Sequence, residues 1–268
     1  MLKQRLITAL VLIVISSWAL FGAEELIWQL AVILVAMVGA WEWTQFMRLE
    51  RRILKLGFSL LTAGLVALGL YFDVQSWIVY ISIVQLVFVV WMVTRFQMTA
   101  GQVGLSNRIS AALIGLVLLV SFALSLIWLR EVYSAWIVLF SMAMIWMMDT
   151  GAYFAGRRFG QHKLAVYVSP GKTWEGVLGG VLFVGLVSAL TWFVWAQTFY
   201  SPGLVVFVLA ASLIAALSVY GDLFESLLKR QVNIKDSGKI LPGHGGVLDR
   251  IDSLLVALPL FWVFWSFM

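Results

Sequence analysis

The residues best suited to chemistry crowd into one stretch, I-K-D-S-G-K-I-L-P-G-H-G-G-V-L-D-R-I-D, from Ile234 to Asp252. It holds Lys235, Asp236, Lys239, Asp249, Arg250 and Asp252, with four glycines and one of the chain's two histidines, His244. The run P-G-H-G-G can turn sharply, because glycine tolerates φ > 0, and the free N–H groups of such a turn can converge on an anion. Asp249 and Asp252 are one helical turn apart, where carboxylates suit the start of a helix. Just upstream, Asp222, Ser226 and Lys229 are spaced i, i+4, i+7 and share a helix face, with Glu225 and Arg230 alongside. Two carboxylates from different segments, Asp222 and Asp249, could share a hard divalent cation. Mg2+ suits that arrangement, since it binds through one or two carboxylates plus substrate phosphates. Lys229, Lys235, Lys239 and Arg250 would neutralise the remaining phosphate charge. A zinc site is not expected, because the chain has no cysteine and two histidines. For His244, phosphate donor, general base and loop-structural residue are all open.

A second polar segment, S-P-G-K-T-W-E-G from Ser169 to Gly176, invites comparison with a nucleotide-binding P-loop. That motif needs a glycine five positions before Gly171, where this chain has Val166, and no strand is expected ahead of it. An NTPase reading is rejected on those grounds. Ser169, Lys172 and Thr173 remain candidate phosphate contacts, as do Ser226, Arg230, Gly245 and Gly246.

Something must hold these groups in place, and composition limits what it can be. The chain is 63% hydrophobic and 12% charged, against roughly a quarter charged in a soluble domain. Such a chain cannot cover a water-facing surface, so most of its exterior must face lipid. Its net charge of +5 would suggest nucleic acid in a soluble protein. Here it asks which side of a membrane the charges occupy, and no nucleic-acid partner is expected. Without cysteine, neither a disulfide framework nor thiolate chemistry is available.

Crossing about 30 Å of hydrocarbon takes about 20 apolar residues. Nine stretches qualify: Leu6–Phe21, Leu26–Met47, Leu56–Phe72, Trp77–Val93, Ile109–Leu129, Tyr133–Ala155, Val177–Ala196, Leu204–Tyr220 and Ile251–Phe267. The expectation is an all-α, polytopic membrane protein of about nine transmembrane helices with its N-terminus cytoplasmic, in one domain over residues 1–268. The first run follows Lys3 and Arg5 but closes on no A-x-A cleavage site, so a retained span is expected. With this orientation 17 of the 18 Lys and Arg residues fall on the inner side, Arg130 being the exception. Trp41, Trp43, Trp128, Trp192, Trp195 and Trp265 lie near span ends and are expected to act as interfacial anchors.

An ionisable side chain inside a span is costly unless partnered, and so marks a site. Asp149, in D-T-G-A-Y-F-A-G-R-R, lies about 10 Å inside the inner boundary, beside small residues that allow close helix contact: Gly151, Ala152, Ala155 and Gly156. Glu42, in A-W-E-W, is similarly placed on the second span, with a structural role as good a reading as a functional one.

The run S-L-L-K-R-Q-V-N-I-K-D-S-G-K-I-L-P-G-H-G-G-V-L-D-R-I-D, Ser226 to Asp252, resembles the signature of the phosphatidate cytidylyltransferase family, also called CDP-diacylglycerol synthases. D-T-G-A-Y-F-A-G-R-R-F-G, S-P-G-K-T-W-E-G-V-L-G-G and A-W-E-W resemble that family's other blocks. The resemblance spans essentially the whole chain. It implies transfer of a cytidylyl group from CTP to phosphatidic acid, giving CDP-diacylglycerol and pyrophosphate in phospholipid biosynthesis. It further implies a Mg2+ requirement with K+ as a candidate second cation, an all-helical fold in the cytoplasmic membrane, a homodimer, and a site open to the cytoplasm. Carried over by motif, Asp222 and Asp249 match the metal-binding aspartates, and the lysines, arginines and His244-Gly245-Gly246 would handle phosphates, with Asp236 beside them.

Two other classes are weighed against this. A transporter could use Asp149, Asp222 and Glu42 as an ion path, but the charges gather at one face and no internal repeat is visible. A CDP-alcohol phosphatidyltransferase would carry D-G-x-x-A-R followed by G-x-x-x-D-x-x-x-D, which is absent.

Overall fold

In hydrocarbon an apolar segment must satisfy its own backbone polar groups, and a helix does so within one segment. The computed structural model describes residues 2–105, 107–195 and 203–268. Its helices are α1 (Leu2–Phe21), α2 (Glu25–Trp43), α3 (Arg52–Tyr71), α4 (Gln75–Met98), α5 (Arg108–Trp128), α6 (Ala135–Phe159), α7 (Trp174–Trp195), α8 (Leu204–Gln231) and α9 (Leu248–Ser266). Seven of them, α2 to α8, are long and apolar enough to cross a membrane by length and composition. In α1 the apolar run Leu6–Phe21 is shorter, and α9 begins with Asp249, Arg250 and Asp252. The expected end of the seventh span at Ala196 lies outside the described residues, as do the side chains of Lys3 and Arg5.

Contacts at the two ends show that α1 and α2 run in opposite directions and which termini meet them. At one end Arg130, on the π-helical turn Leu129–Tyr133 after α5, donates to the Leu20 and Ala23 carbonyls at the end of α1. The adjacent Glu131 accepts from Gln29 of α2. At the other end Thr8 of α1 donates to the Pro242 carbonyl, and Arg48, after α2, donates to the Gln231 carbonyl at the end of α8. Arg130 and the loops that carry Arg48 and Pro242 therefore sit at opposite ends of the bundle.

The exterior suits lipid. On α7, Leu178, Leu182, Leu186 and Leu190 form an i, i+4 row, each at least 59% exposed, while Gly180, Val184 and Ser188 on the same helix are buried. Small residues let α6 and α7 meet closely, as expected of the segment after Asp149: a Cβ on Gly179 would lie 2.1 Å from that of Ala155, and one on Gly151 3.0 Å from the Cα of Gly180. This is a multi-pass helical membrane protein.

Two expectations need correction. The fold is not wholly helical, because β1 (Lys163–Ala165) and β2 (Ser169–Thr173) form an antiparallel hairpin between α6 and α7. A strand therefore does precede Gly171-Lys172-Thr173, but those residues lie on β2 itself instead of in a strand-to-helix loop. Several tryptophans are also core residues, not interfacial anchors. Trp43 is fully buried and donates to the Ala111 carbonyl at 2.8 Å, Trp128 stacks near Trp262 with centroids 5.7 Å apart, and Trp265 packs on Tyr133 at 6.1 Å.

Candidate active site

The apolar run of α8 ends near Tyr220, but the helix continues to Gln231 and carries Asp222, Glu225, Ser226, Lys229 and Arg230 on its extension. It stops where Asn233 adopts φ 57° and the Ile234 N–H returns to the Lys229 carbonyl at 3.0 Å, a left-handed C-terminal cap. The following loop closes through a turn at Leu241-Pro242-Gly243-His244, in which the His244 N–H donates to the Leu241 carbonyl at 2.9 Å. Gly243 supplies the required φ of 76° behind proline. The chain then enters α9. Gly221 lets α8 and α9 touch at this level, since a Cβ there would lie 2.6 Å from the Asp252 carbonyl oxygen.

That close crossing brings two acidic rows face to face with a lysine between them. Lys229 Nζ sits 2.7 Å from Glu225 Oε2 and 2.8 Å from Asp249 Oδ1. The second oxygen, Asp249 Oδ2, accepts from the backbone N–H groups of Gly246 at 2.8 Å and Ser237 at 2.9 Å. Asp249 thus clamps the two ends of the loop while facing the helix extension. Asp222 Oδ2 pairs with Lys172 Nζ at 2.5 Å, and its Oδ1 accepts from Ser226 at 3.2 Å. Asp149 and Asp252 both lie within electrostatic reach of Asp222 and Lys172. Asp149 of α6 thus lies near this cluster.

Lys172 arrives on the hairpin, which is fastened at several points. The Thr173 hydroxyl accepts from the Gly176 N–H at 3.1 Å and caps α7, so this buried side chain supports the strand-to-helix junction. Glu175 accepts from the N–H groups of Gln161 and His162, and Arg230 Nε reaches the Val168 carbonyl at 3.4 Å. Ser169 opens β2 beside the hairpin's turn, opposite Ala165.

Lys235, Asp236, Lys239, His244, Gly245 and Arg250 surround an open cavity of about 540 Å3 formed by the loop. Arg250 reaches the His244 carbonyl through Nε at 3.1 Å and Nη2 at 2.7 Å, and His244 Nδ1 is buried without a hydrogen-bond partner among the described residues. A Cβ on Gly245 would lie 3.0 Å from Asp249 Oδ2, so the loop backbone separates this cavity from the carboxylate by a single layer.

Glu42 turns out to be structural. It is 1% exposed, and its Oε2 accepts from the Leu248 N–H at 2.8 Å and from the Ser237 hydroxyl at 3.4 Å. It therefore caps α9 and pins the loop to α2. Glu225 and Asp252 are the members that the site reading did not include. Their spacing from Lys229 and Asp249 was visible in the sequence; their burial between two helices was not.

The carboxylates suit a hard cation in kind. All are oxygen donors, Lys172 Nζ already sits as a cation beside Asp222 and Lys229 Nζ beside Asp249, and Glu225 Oε1 is buried with no hydrogen-bond partner among the described residues. In this arrangement no three acidic or histidine side chains among the described residues converge on one ion position. A cation at Asp222 or Asp249 would compete with the lysine already paired there, Lys172 or Lys229.

A family model described as "Cytidylyltransferase family" matches residues 3–268. The chain belongs to the cytidylyltransferase family. It is 34% identical over 287 residues to a protein of Haemophilus influenzae named phosphatidate cytidylyltransferase, covering 100% of this chain and 99% of that one. It is 38% identical over 264 residues to a protein of the same name from Pseudomonas aeruginosa, covering 97% and 96% respectively. The likeness runs the whole length, so the cytidylyltransferase match includes the helices, the hairpin and the loop that build the acidic and basic cluster.

Proposed function

We infer that this protein transfers the cytidylyl group of CTP to phosphatidate, forming CDP-diacylglycerol and releasing pyrophosphate. The observation that carries the reading is full-length similarity to relatives named for that activity, together with carboxylates and lysines gathered at one end of a lipid-facing helical bundle. A phosphate oxygen of phosphatidate attacks the α-phosphorus of CTP. A new P–O bond forms as the bond to the β-phosphate oxygen breaks, and pyrophosphate leaves with the electron pair. The nucleophile is already an anion near neutral pH, so no strong general base is needed, and His244 is not assigned that role.

Positioning and charge neutralisation supply most of the rate in such transfers. Lys172 and Lys229 are the cations nearest the acidic cluster, and Lys235, Lys239 and Arg250 face the loop cavity, where the triphosphate has room. The acyl chains of phosphatidate stay in the bilayer, and its phosphate meets Lys172 and Lys229 at headgroup level. Asp222 and Asp249 would hold Mg2+, with Glu225 and Asp252 behind them and K+ as a candidate second cation. When bound, such ions offset charge developing on the transferring phosphoryl group and the pyrophosphate.

The reading extends to a cytoplasmic-membrane protein of nine spans, N-terminus inside and site facing the cytoplasm, working as a homodimer. The chain has no cysteine, so single cysteines introduced in the hairpin or after α5 can be labelled from one side to test orientation. For activity, the purified protein is given CTP, Mg2+ and phosphatidate in detergent micelles. Pyrophosphate release that depends on phosphatidate is expected, and its absence from well-folded protein rejects the reading.

A further inference from the structure

A second cavity, of about 390 Å3, opens at the same polar end of the bundle, between the turn after α2, the loop after α4, the start of α5 and the end of α8. Arg48, Arg108 and Arg230 line it, none of its lining residues is acidic, and Phe46, Met47 and Leu228 contribute apolar surface. Asp222, Glu225, Lys229, Asp249 and Lys172 are not part of it. On α8, Gln231 of this cavity lies about half a turn around from Lys229, so the cavity and the acidic cluster use opposite faces of one helix. Arg230, a sequence candidate for the substrate phosphate, also lines this second cavity.

Among the described residues none of these arginines is ion-paired to a carboxylate. Arg48 has φ 52° and donates from Nη2 to the Gln231 carbonyl at 3.1 Å, while Arg230 donates from Nε to the Val168 carbonyl. Gln231 is locked in turn: its Oε1 accepts from the Leu105 N–H at 3.0 Å, and it fills the space where a Cβ on Gly104 would be. Each guanidinium has five N–H donors, so most remain available. Arg108 is the first residue of α5, where a cation opposes the helix dipole. Three like charges, one at an unfavourable helix end and none facing a carboxylate in the cavity, make a site that an anion relieves.

We propose that this cavity is a second phosphate-binding site, separate from the reaction site, that takes the phosphate of an anionic lipid headgroup. Arginine's planar fork matches phosphate oxygens, the apolar wall suits the start of a lipid's glycerol and acyl region, and basic pockets between helix ends are where anionic headgroups bind. A free phosphate would use the same donors. Occupancy reaches the catalytic side through Arg230, which holds the Val168 carbonyl of the hairpin that carries Lys172.

The test reads binding, not turnover, so it stands or falls independently of the inferred reaction. Native mass spectrometry of the intact protein in neutral detergent measures the first bound phosphatidylglycerol, with phosphatidylcholine as the zwitterionic control and inorganic phosphate as the soluble competitor. In Arg48→Gln/Arg108→Gln, phosphatidylglycerol affinity is expected to fall about tenfold or more, with phosphatidylcholine retention unchanged. If inorganic phosphate protects the wild type but phosphatidylglycerol does not bind, the site takes free phosphate and the lipid assignment is overturned. If the double variant binds phosphatidylglycerol as the wild type does, the site itself is overturned. Should that variant elute as aggregate, Arg108→Gln alone, on an exposed side chain, carries the same comparison.

Discussion

The Lys229 ammonium lies 2.8 Å from Asp249 Oδ1, a contact that ties the end of α8 to the first turn of α9 between residues 20 apart in the chain. Glu225 completes the group, and side-chain exposure across the three is 15%, 10% and 2% for Lys229, Asp249 and Glu225. Removing the cation leaves two carboxylates with little access to water, a loss of about 3–5 kcal/mol for a buried pair. Lys229→Met should therefore lower the thermal unfolding midpoint by roughly 10 °C. Adding Glu225→Gln should recover part of that, because it removes one of the stranded charges. Unfolding of the purified variants in detergent checks both; an unchanged midpoint in the single variant would mean the contact contributes no net stability.

Asp249 clamps the loop, the proposed reaction adds a catalytic duty, and two substitutions separate them. Asp249→Asn can still accept from the Gly246 and Ser237 N–H groups at one oxygen, but it loses the charge facing Lys229. Asp249→Ala loses both. Turnover is expected to fall at least about a hundredfold in each, from the lost electrostatic stabilisation, while the asparagine variant keeps the wild-type elution profile. Pyrophosphate release measured beside size-exclusion chromatography distinguishes the two effects. A near-normal rate in Asp249→Asn would remove this carboxylate from the reaction.

Lys172 stands differently, because its pair with Asp222 is about a quarter to a third exposed. Ion pairs so accessible contribute about 0–1 kcal/mol, so Lys172→Met should leave stability nearly unchanged. Its expected loss is kinetic, with kcat/KM for CTP or phosphatidate down about tenfold or more as a phosphate contact disappears. If stability falls and kinetics do not, Lys172 is a hairpin strut and not a substrate contact.

What the sequence reveals and what it hides follow from how far each interaction reaches. Lipid-facing helices are legible because each apolar run satisfies its own backbone locally. The acidic and basic members at 222–252 are legible because they are close in sequence. Glu42 is different: its partner Leu248 is 206 residues away, and nothing local separates a capping carboxylate from a functional one. The hairpin at 163–173 escapes notice because strands of three and five residues carry too little periodicity. Trp43, Trp128 and Trp265 look like interface anchors by position along the chain, yet the direction of a side chain around a helix end depends on neighbours the sequence does not align.

Glycine substitutions test whether the loop at 237–248 must keep its present form. A Cβ on Gly238 would lie 2.0 Å from Glu42 Oε1, and one on Gly246 would lie 2.3 Å from Ser237 Oγ, 2.6 Å from Glu42 Oε2 and 2.8 Å from the Gly238 backbone nitrogen. Glu42 cannot swing away cheaply, because it is 1% exposed and its Oε2 holds the Leu248 N–H. Gly246→Ala and Gly238→Ala should therefore displace the loop that delivers two backbone donors to Asp249, lowering turnover about tenfold or more. Gly171 offers the opposite case, since nothing lies within 4 Å of a Cβ built there. Gly171→Ala should retain activity within about twofold, as unstrained surface changes do. A large loss at Gly171 would mean that phosphate approaches the β2 backbone closely, as in a P-loop, and would return the triphosphate to the hairpin in place of the 237–248 loop.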